Sequence, residues 1–250
     1  RYIRRVVTYS LPLILLFYMK PAYLMINNRY EKFVAGSETY TAIRKSKQNS
    51  SHVNLILGDS ECYQLFPNTK DFDSTLSLAC NQAIGMVGHY LLLLNYLNAN
   101  NEINNLYMIF GPEGLSNNLD QIYTFHYFLK PFYKDEYKPY FTELVNKQIS
   151  KIPYRKLCRE PYIMTSNWAP KLSSTDNVDL SFISPITNQY LHKILQLSEE
   201  KNFKLHIISA PIKLSRAREL EKIYKDEIIN SDLHQVMNSY FENILYLPDT

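Results

Sequence analysis

Three consecutive residues carry the chemistry most readily placed in this chain. Gly58, Asp59 and Ser60 directly follow the apolar run 53–57 (VNLIL). A serine just past a buried strand stands at the edge of a sheet, where its hydroxyl can meet a ligand. Glycine before it permits a tight turn. The amides of the turn that follows can point at the oxygen of an attacked carbonyl, where negative charge develops. The chemistry these residues suit is attack by a serine hydroxyl on an ester, with a base taking the proton. Asp59 by itself reads as an ordinary turn aspartate. Cys62 offers a second nucleophile two residues on, but Ser60 fits the strand–turn position and Cys62 does not.

The elements that must position Ser60 follow from hydrophobic period. Residues 53–57 read as a buried strand, and residues 75–80 (TLSLAC) as a second. Residues 84–98 carry Ile84, Val87, Leu91, Leu94 and Leu97 at helical spacing. Residues 105–110 (NLYMIF) read as a third strand, stopped by Gly111-Pro112. Residues 119–149 are aromatic-rich and read as helix interrupted at Pro131 and Pro139. Residues 150–182 show no period and read as an insertion. Ser184-Pro185 predicts a helix start, with an N-cap and a proline at the first helical position. Residues 204–210 (KLHIISA) read as a fourth strand, 215–229 as a helix, and 243–247 (NILYL) as a last strand. Strand alternating with helix predicts an α/β fold, a parallel sheet in a three-layer α/β/α sandwich. Ligands in such sheets bind at the carboxyl ends of the strands. Gly58–Ser60, Asn81–Gly85, Gly111–Asn118 and Pro211–Ser215 all fall there.

At these residues the chain resembles the SGNH/GDSL hydrolases, and within them the membrane-anchored proteins that modify cell-envelope polymers. The resemblance spans 53–250 and implies a flavodoxin-like sandwich. LILGDSECYQLF is similar to the family's first block, which implies that Ser60 is the nucleophile and Asp59 its support. ACNQAIG resembles the second block, which implies an oxyanion role for the Gly85 amide, with Asn81 as a nearby polar candidate. The third block, Gly-x-Asn-Asp, is not matched: Phe110-Gly111-Pro112-Glu113 stands there, and Asn117 or Asn118 is the nearest substitute. No Asp-x-x-His follows the fourth strand, and Asp232-Leu233-His234 has the wrong spacing. The chain stops at Asp249-Thr250, where that motif is expected, and reads as truncated. His206 lies inside a strand and reads as a core residue, His89 and His192 as packing or surface residues, and His126 as a residue able to approach the site.

The resemblance implies a serine esterase or O-acyltransferase acting on an acylated carbohydrate or polymer, without metal or organic cofactor. The other reading is a non-catalytic scaffold that binds polysaccharide or a membrane acyltransferase partner.

Composition narrows the rest. The 250 residues are 46% hydrophobic and 20% charged, enough for one sizeable core. A net charge of +3 with dispersed Lys and Arg gives no phosphate-tracking stripe, and so no expectation of nucleic-acid binding. The 21 tyrosines are scattered and read as packing. Cys62, Cys80 and Cys158 are widely spaced, with no metal-ligand pattern, and read as small buried thiols. Residues 1–5 (RYIRR) are basic, and 6–26 are mostly apolar over a length near the ~20 residues of a bilayer span. Residues 1–27 therefore read as an uncleaved membrane anchor with Arg1, Arg4 and Arg5 cytoplasmic. Residues 28–52 read as a linker, and 53–250 as an extracytoplasmic domain.

Overall fold

The computed structural model describes residues 1–18, 35–70, 72–100, 102–121, 123–152, 155, 182–223, 226, 228–229, 231–242, 244 and 246–247. The insertion read at 150–182 and Cys158 fall almost wholly outside these residues. Four parallel strands form the central sheet: β1 (Asn54–Gly58), β2 (Thr75–Ser77), β3 (Asn105–Phe110) and β4 (Lys204–Ser209), in the order β2-β1-β3-β4. The alternation of each strand divides its side chains between two faces. Leu55, Leu57, Leu106, Met108, Phe110 and Ile207 enter the large core, together with Val87, Leu91 and Ile194. These last come from the crossover helices α4 (Gly85–Ala99) and α7 (Pro185–Lys201), numbered in chain order with those given below. Ile56, Ile109 and Ala210 enter a smaller cluster with Cys62 of α3 (Ser60–Leu65). The protein is thus an α/β fold built on an all-parallel sheet, as the strand–helix alternation predicts.

The predicted second strand is shorter than 75–80, yet its edge continues to pair. The amides of Leu78 and Cys80 donate to the carbonyls of Ile56 and Gly58. The last strand, β6 (Tyr246–Leu247), pairs in parallel with β5 (Ile212–Lys213) in a separate two-stranded sheet rather than joining the main one. Between β5 and β6 lie α8 (Leu214–Ile223) and α9 (His234–Glu242). Helix α9 packs along β4, with Ser239 Oγ donating to the Ile207 carbonyl.

Three expectations change. Residues 37–46, read as linker, form α2 (Ser37–Ser46), which buries Thr39, Ala42 and Ser46 and packs on α4. Its buried face is made of small and polar residues, so no apolar period announced it. The 119–149 region is not one interrupted helix. It breaks into a π turn (Phe125–Leu129), a short Lys130–Phe132 turn, a 3₁₀ turn (Lys138–Tyr140) and α6 (Glu143–Lys151). Pro131 has no amide to donate and needs room against the preceding turn, which the widened π turn provides. The apolar N-terminal run begins with α1 (Tyr2–Tyr18), 17 residues with Pro12 inside. Among the described residues no helix is long and apolar enough to cross a membrane. Residues 19–34, the rest of the predicted span, lie outside the described ones.

Candidate functional site

The site grows from the carboxyl end of β1. A Cβ on Gly58 would stand 2.4 Å from Cys62 Cβ and 2.4 Å from the Ile109 carbonyl oxygen. Only a residue without a side chain lets α3 fold back so closely on the strands. Asp59 is extended (φ −84, ψ −163) and caps α3. Its Oδ1 accepts from the amides of Glu61 (3.0 Å) and Cys62 (3.3 Å), and its Oδ2 from the Gly111 amide (2.6 Å). Its own amide donates to the Ile109 carbonyl. One buried carboxylate therefore ties the turn after β1 to the turn after β3. Burial pushes the Asp59 carboxyl up, and the three amide donors pull against that shift.

Ser60 is the first residue of α3 and half-buried. Glu61 and Cys62 give their amides to Asp59. Among the described residues the Ser60 amide has no acceptor, and the Ser60 hydroxyl makes no hydrogen bond. The hydroxyl and the amide beside it are both unengaged at the strand edge. Cys62 is fully buried and burial raises its thiol well above the usual range, so it is no nucleophile at neutral pH.

The neighbouring edge, after β2, is occupied differently from the expectation. Asn81 caps a 3₁₀ turn (Gln82–Ile84), its Oδ1 accepting from the Ala83 amide at 2.9 Å. Gly85 takes φ +61, a conformation glycine adopts freely, but its amide donates to the Gln82 carbonyl. Asn117 Nδ2 donates to that same carbonyl at 2.6 Å, and Asn117 Oδ1 accepts from the Leu119 amide at 2.8 Å. The Asn117 carbonyl accepts from Ser184 Oγ at 2.7 Å. Asn118 Oδ1 accepts from the Ile186 amide. Asn117 thus fastens the 3₁₀ turn to the start of α7, and Asn118 helps cap α7. Gly85 and Asn117, the residues expected to serve an oxyanion, both give their amides to the Gln82 carbonyl in this structure. The Asn81 amide nitrogen has no partner among the described residues.

Three acids surround Gly111, and only Asp59 was singled out from the sequence. Glu61 Oε2 is enclosed without a hydrogen-bond partner. It lies 2.3 Å from where a Gly111 Cβ would stand, and Glu113 Oε2 lies 3.4 Å from the same point. Glu113 sits in the first turn of α5 (Pro112–Ser116). A Cβ on Gly114 would stand 2.9 Å from Asp59 Oδ2. Gly111 and Gly114 therefore make the room these carboxyls occupy. Burial first, then Asp59 and Glu113, push the Glu61 carboxyl up to about 7. Tyr240 of α9 is fully buried, its hydroxyl near Ser209 but without a hydrogen-bond partner. Burial raises its phenol, and the charges of Asp59, Glu113 and Glu61 raise it further. Glu61 and Glu113 were findable, since each stands three residues past the end of a parallel strand. Tyr240 arrives from a helix with no motif.

No described histidine hydrogen-bonds to Ser60. His89 is buried on α4, edge-on to Phe110 with ring centres 5.0 Å apart, and its Nδ1 has no partner. Burial pushes it down to about 3. His126 is buried in the π turn, its Nδ1 also unpartnered, and burial together with Lys130 pushes it down to about 4. His206 stacks on Tyr107, with Nε2 3.3 Å from Asn105 Oδ1. Asp232 and His192 line an open cavity of about 530 Å³ with Asn188 and Ser231, Leu233 packs in the core, and His234 opens α9. Among the described residues no His, Cys, Asp and Glu cluster has the arrangement of a metal site. No family model, curated protein or solved structure matches the chain.

Proposed function

We propose that this chain is a serine-dependent acyl-transfer domain, an esterase or O-acyltransferase of the SGNH type acting on an acylated carbohydrate or polymer. The observation that carries the reading is the state of Ser60. Its hydroxyl and its amide stand unengaged together at the carboxyl edge of the parallel sheet, on a turn held by the Asp59 carboxylate. In the proposed reaction Ser60 Oγ attacks the ester carbonyl while a base takes its proton. The carbonyl oxygen becomes an oxyanion held by the Ser60 amide, with Asn81 Nδ2 as the second donor. The alcohol then leaves with a proton, and the acyl-serine passes its acyl group to water or to a hydroxyl acceptor. A single oxyanion donor contributes about 3–4 kcal/mol in such chemistry. The reading requires a base that no described histidine supplies through a hydrogen bond to Ser60.

A second reading, an SGNH-like binding or accessory protein for a polysaccharide or a membrane acyltransferase, is favoured by the engaged Gly85 and Asn117 amides. Fluorophosphonate treatment of the full-length protein separates the two. Acyl transfer predicts one phosphonylated residue, mapped by mass spectrometry to Ser60 and lost in Ser60→Ala. Absence of labelling sinks the catalytic reading and leaves the binding one.

The proposed location is at a membrane, with the domain outside the cytoplasm. What supports it is α1, whose Tyr2, Ile3, Val6, Val7, Leu11, Leu13 and Ile14 are all exposed beside Arg1, Arg4 and Arg5. An exposed apolar helix face flanked by arginines suits a membrane surface, where the apolar side chains leave water. Sedimentation with anionic vesicles, lost when residues 1–18 are deleted, is the expected result.

A further inference from the structure

The acids around Gly111 form a group that no catalytic step above uses. Asp59 has three amide donors that offset part of the burial penalty on its carboxylate. Glu61 has none: its Oε2 is enclosed, seated on Gly111, and faces Asp59 and Glu113. The buried hydroxyl of Tyr240 on α9 lies beside Ser209, and the charges of the three acids act on it as well. Among the described residues, the charged groups that act on Glu61 are Asp59 on the β1 turn and Glu113 on α5, both acids. Cys62 of α3 and Tyr240 of α9 complete the titratable surroundings.

We infer that Glu61 is a proton-bearing positioning residue for Ser60. With its proton, Glu61 fits over Gly111 beside Glu113, and the β1 turn stays clasped to the β3 turn. Without it, a second and third carboxylate face each other across one glycine beside the Asp59 clamp. The first turn of α3, which carries Ser60, is then pushed away from β3. No bond to substrate is involved, and the proton is exchanged with solvent through the half-exposed side of Glu61. The effect on catalysis rests on the acyl-transfer reading; the coupling of the turn to the Glu61 proton does not.

The direction of the pH effect follows from the binding of protons. The Glu61 carboxyl is raised from an ordinary 4.5 to about 7, so between those values the folded chain holds a proton that the unfolded chain has released. This group therefore lowers stability as pH rises through that window, and its effect levels off above it. Its half-exposure and solvent screening moderate the size.

The test uses the full-length protein with glutamate labelled by carbon-13 at the side-chain carboxyl. One glutamate is expected to titrate near 7 in the wild type. That resonance disappears in Glu61→Gln and moves towards the ordinary glutamate range in Glu113→Gln. If every glutamate titrates in the ordinary range, the inference is overturned. The wild-type titration decides this even where Glu61→Gln does not fold, with Glu113→Gln supplying the assignment. Thermal unfolding gives the second readout: the wild type loses stability relative to Glu61→Gln as pH rises from about 5 to about 7.5, and parallel profiles overturn the coupling. The third is fluorophosphonate labelling at Ser60. The wild-type rate divided by the Glu61→Gln rate falls roughly tenfold from about pH 6 to about pH 8, following the protonated fraction of a group near 7. A constant ratio overturns the effect on Ser60. No labelling in either protein, with the titration and stability results as expected, overturns the acyl-transfer reading and leaves the proton-dependent turn standing.

Discussion

Ser60 depends on its neighbours on both sides. Asp59 contributes three acceptor contacts that no neutral side chain reproduces, and hydrogen bonds to a charged group are worth about 1.5–3 kcal/mol each before compensation. Asp59→Ala leaves the amides of Glu61, Cys62 and Gly111 without that acceptor. It is expected to lower the unfolding free energy by roughly 2–4 kcal/mol, measured from urea midpoints. Ser60→Ala removes a hydroxyl with no hydrogen bond, and is expected to change stability by less than about 0.5 kcal/mol while abolishing phosphonylation. Gly58→Ala places a methyl 2.4 Å from both Cys62 Cβ and a backbone oxygen of β3. Neither neighbour is the end of a flexible side chain, so a loss above about 2 kcal/mol or failure to fold is expected in the same measurement.

At the scale of elements, the carboxyl edge is held by caps rather than by long helices. Helix α3 has only six residues and depends on the Asp59 clamp. The start of α7 is fixed by Ser184, whose Oγ accepts from the Thr187 amide and donates to the Asn117 carbonyl. Asn117 then fixes the 3₁₀ turn through Gln82. Ser184→Ala is expected to cost about 1–2 kcal/mol. Because Ser184 and Asn117 share one chain of hydrogen bonds, the double variant with Asn117→Ala should cost less than the two single losses combined, by at least about 0.5 kcal/mol in a thermodynamic cycle. Additive losses would show that the two caps act independently.

Over the whole molecule, buried histidines and the buried acid set opposite pH trends. His89 is lowered from an ordinary 6.5 to about 3, so the unfolded chain binds the proton that the folded chain refuses. Stability from this residue is present above about 6.5 and is lost as pH falls towards 3. His126 acts in the same direction, with its lower limit near 4. Replacing His89 with Leu, which keeps an apolar contact for Phe110, is expected to flatten the fall in unfolding free energy on the acid side. Denaturant titrations from about pH 7 to about pH 4 check this; an unchanged slope would show that His89 does not set the acid limb.

Much of the scaffold was legible because its signals are local. Strands β3 and β4 are short apolar runs ended by Gly111-Pro112 and before Pro211, and Ser184-Pro185 declares the start of α7 by its own cap chemistry. Since each strand of a parallel sheet delivers its following turn to the same edge, Ser60, Asn81 and Asn117 were correctly assigned to one end of the fold. Their roles were a different matter. Whether the Gly85 amide is free depends on a 3₁₀ turn that claims it, and whether Asn117 is free depends on Gln82, 35 residues earlier. Helix α2 escaped notice because it buries Thr39, Ala42 and Ser46, residues that carry no hydrophobic period. By itself the sequence determined the Gly58-Asp59-Ser60 turn at the end of a parallel strand, because close approach and capping are written in adjacent residues. Only the tertiary structure decided which polar groups around Ser60 are already engaged. It also set three acids around Gly111, since burial and the partners of a polar atom come from segments distant in the chain.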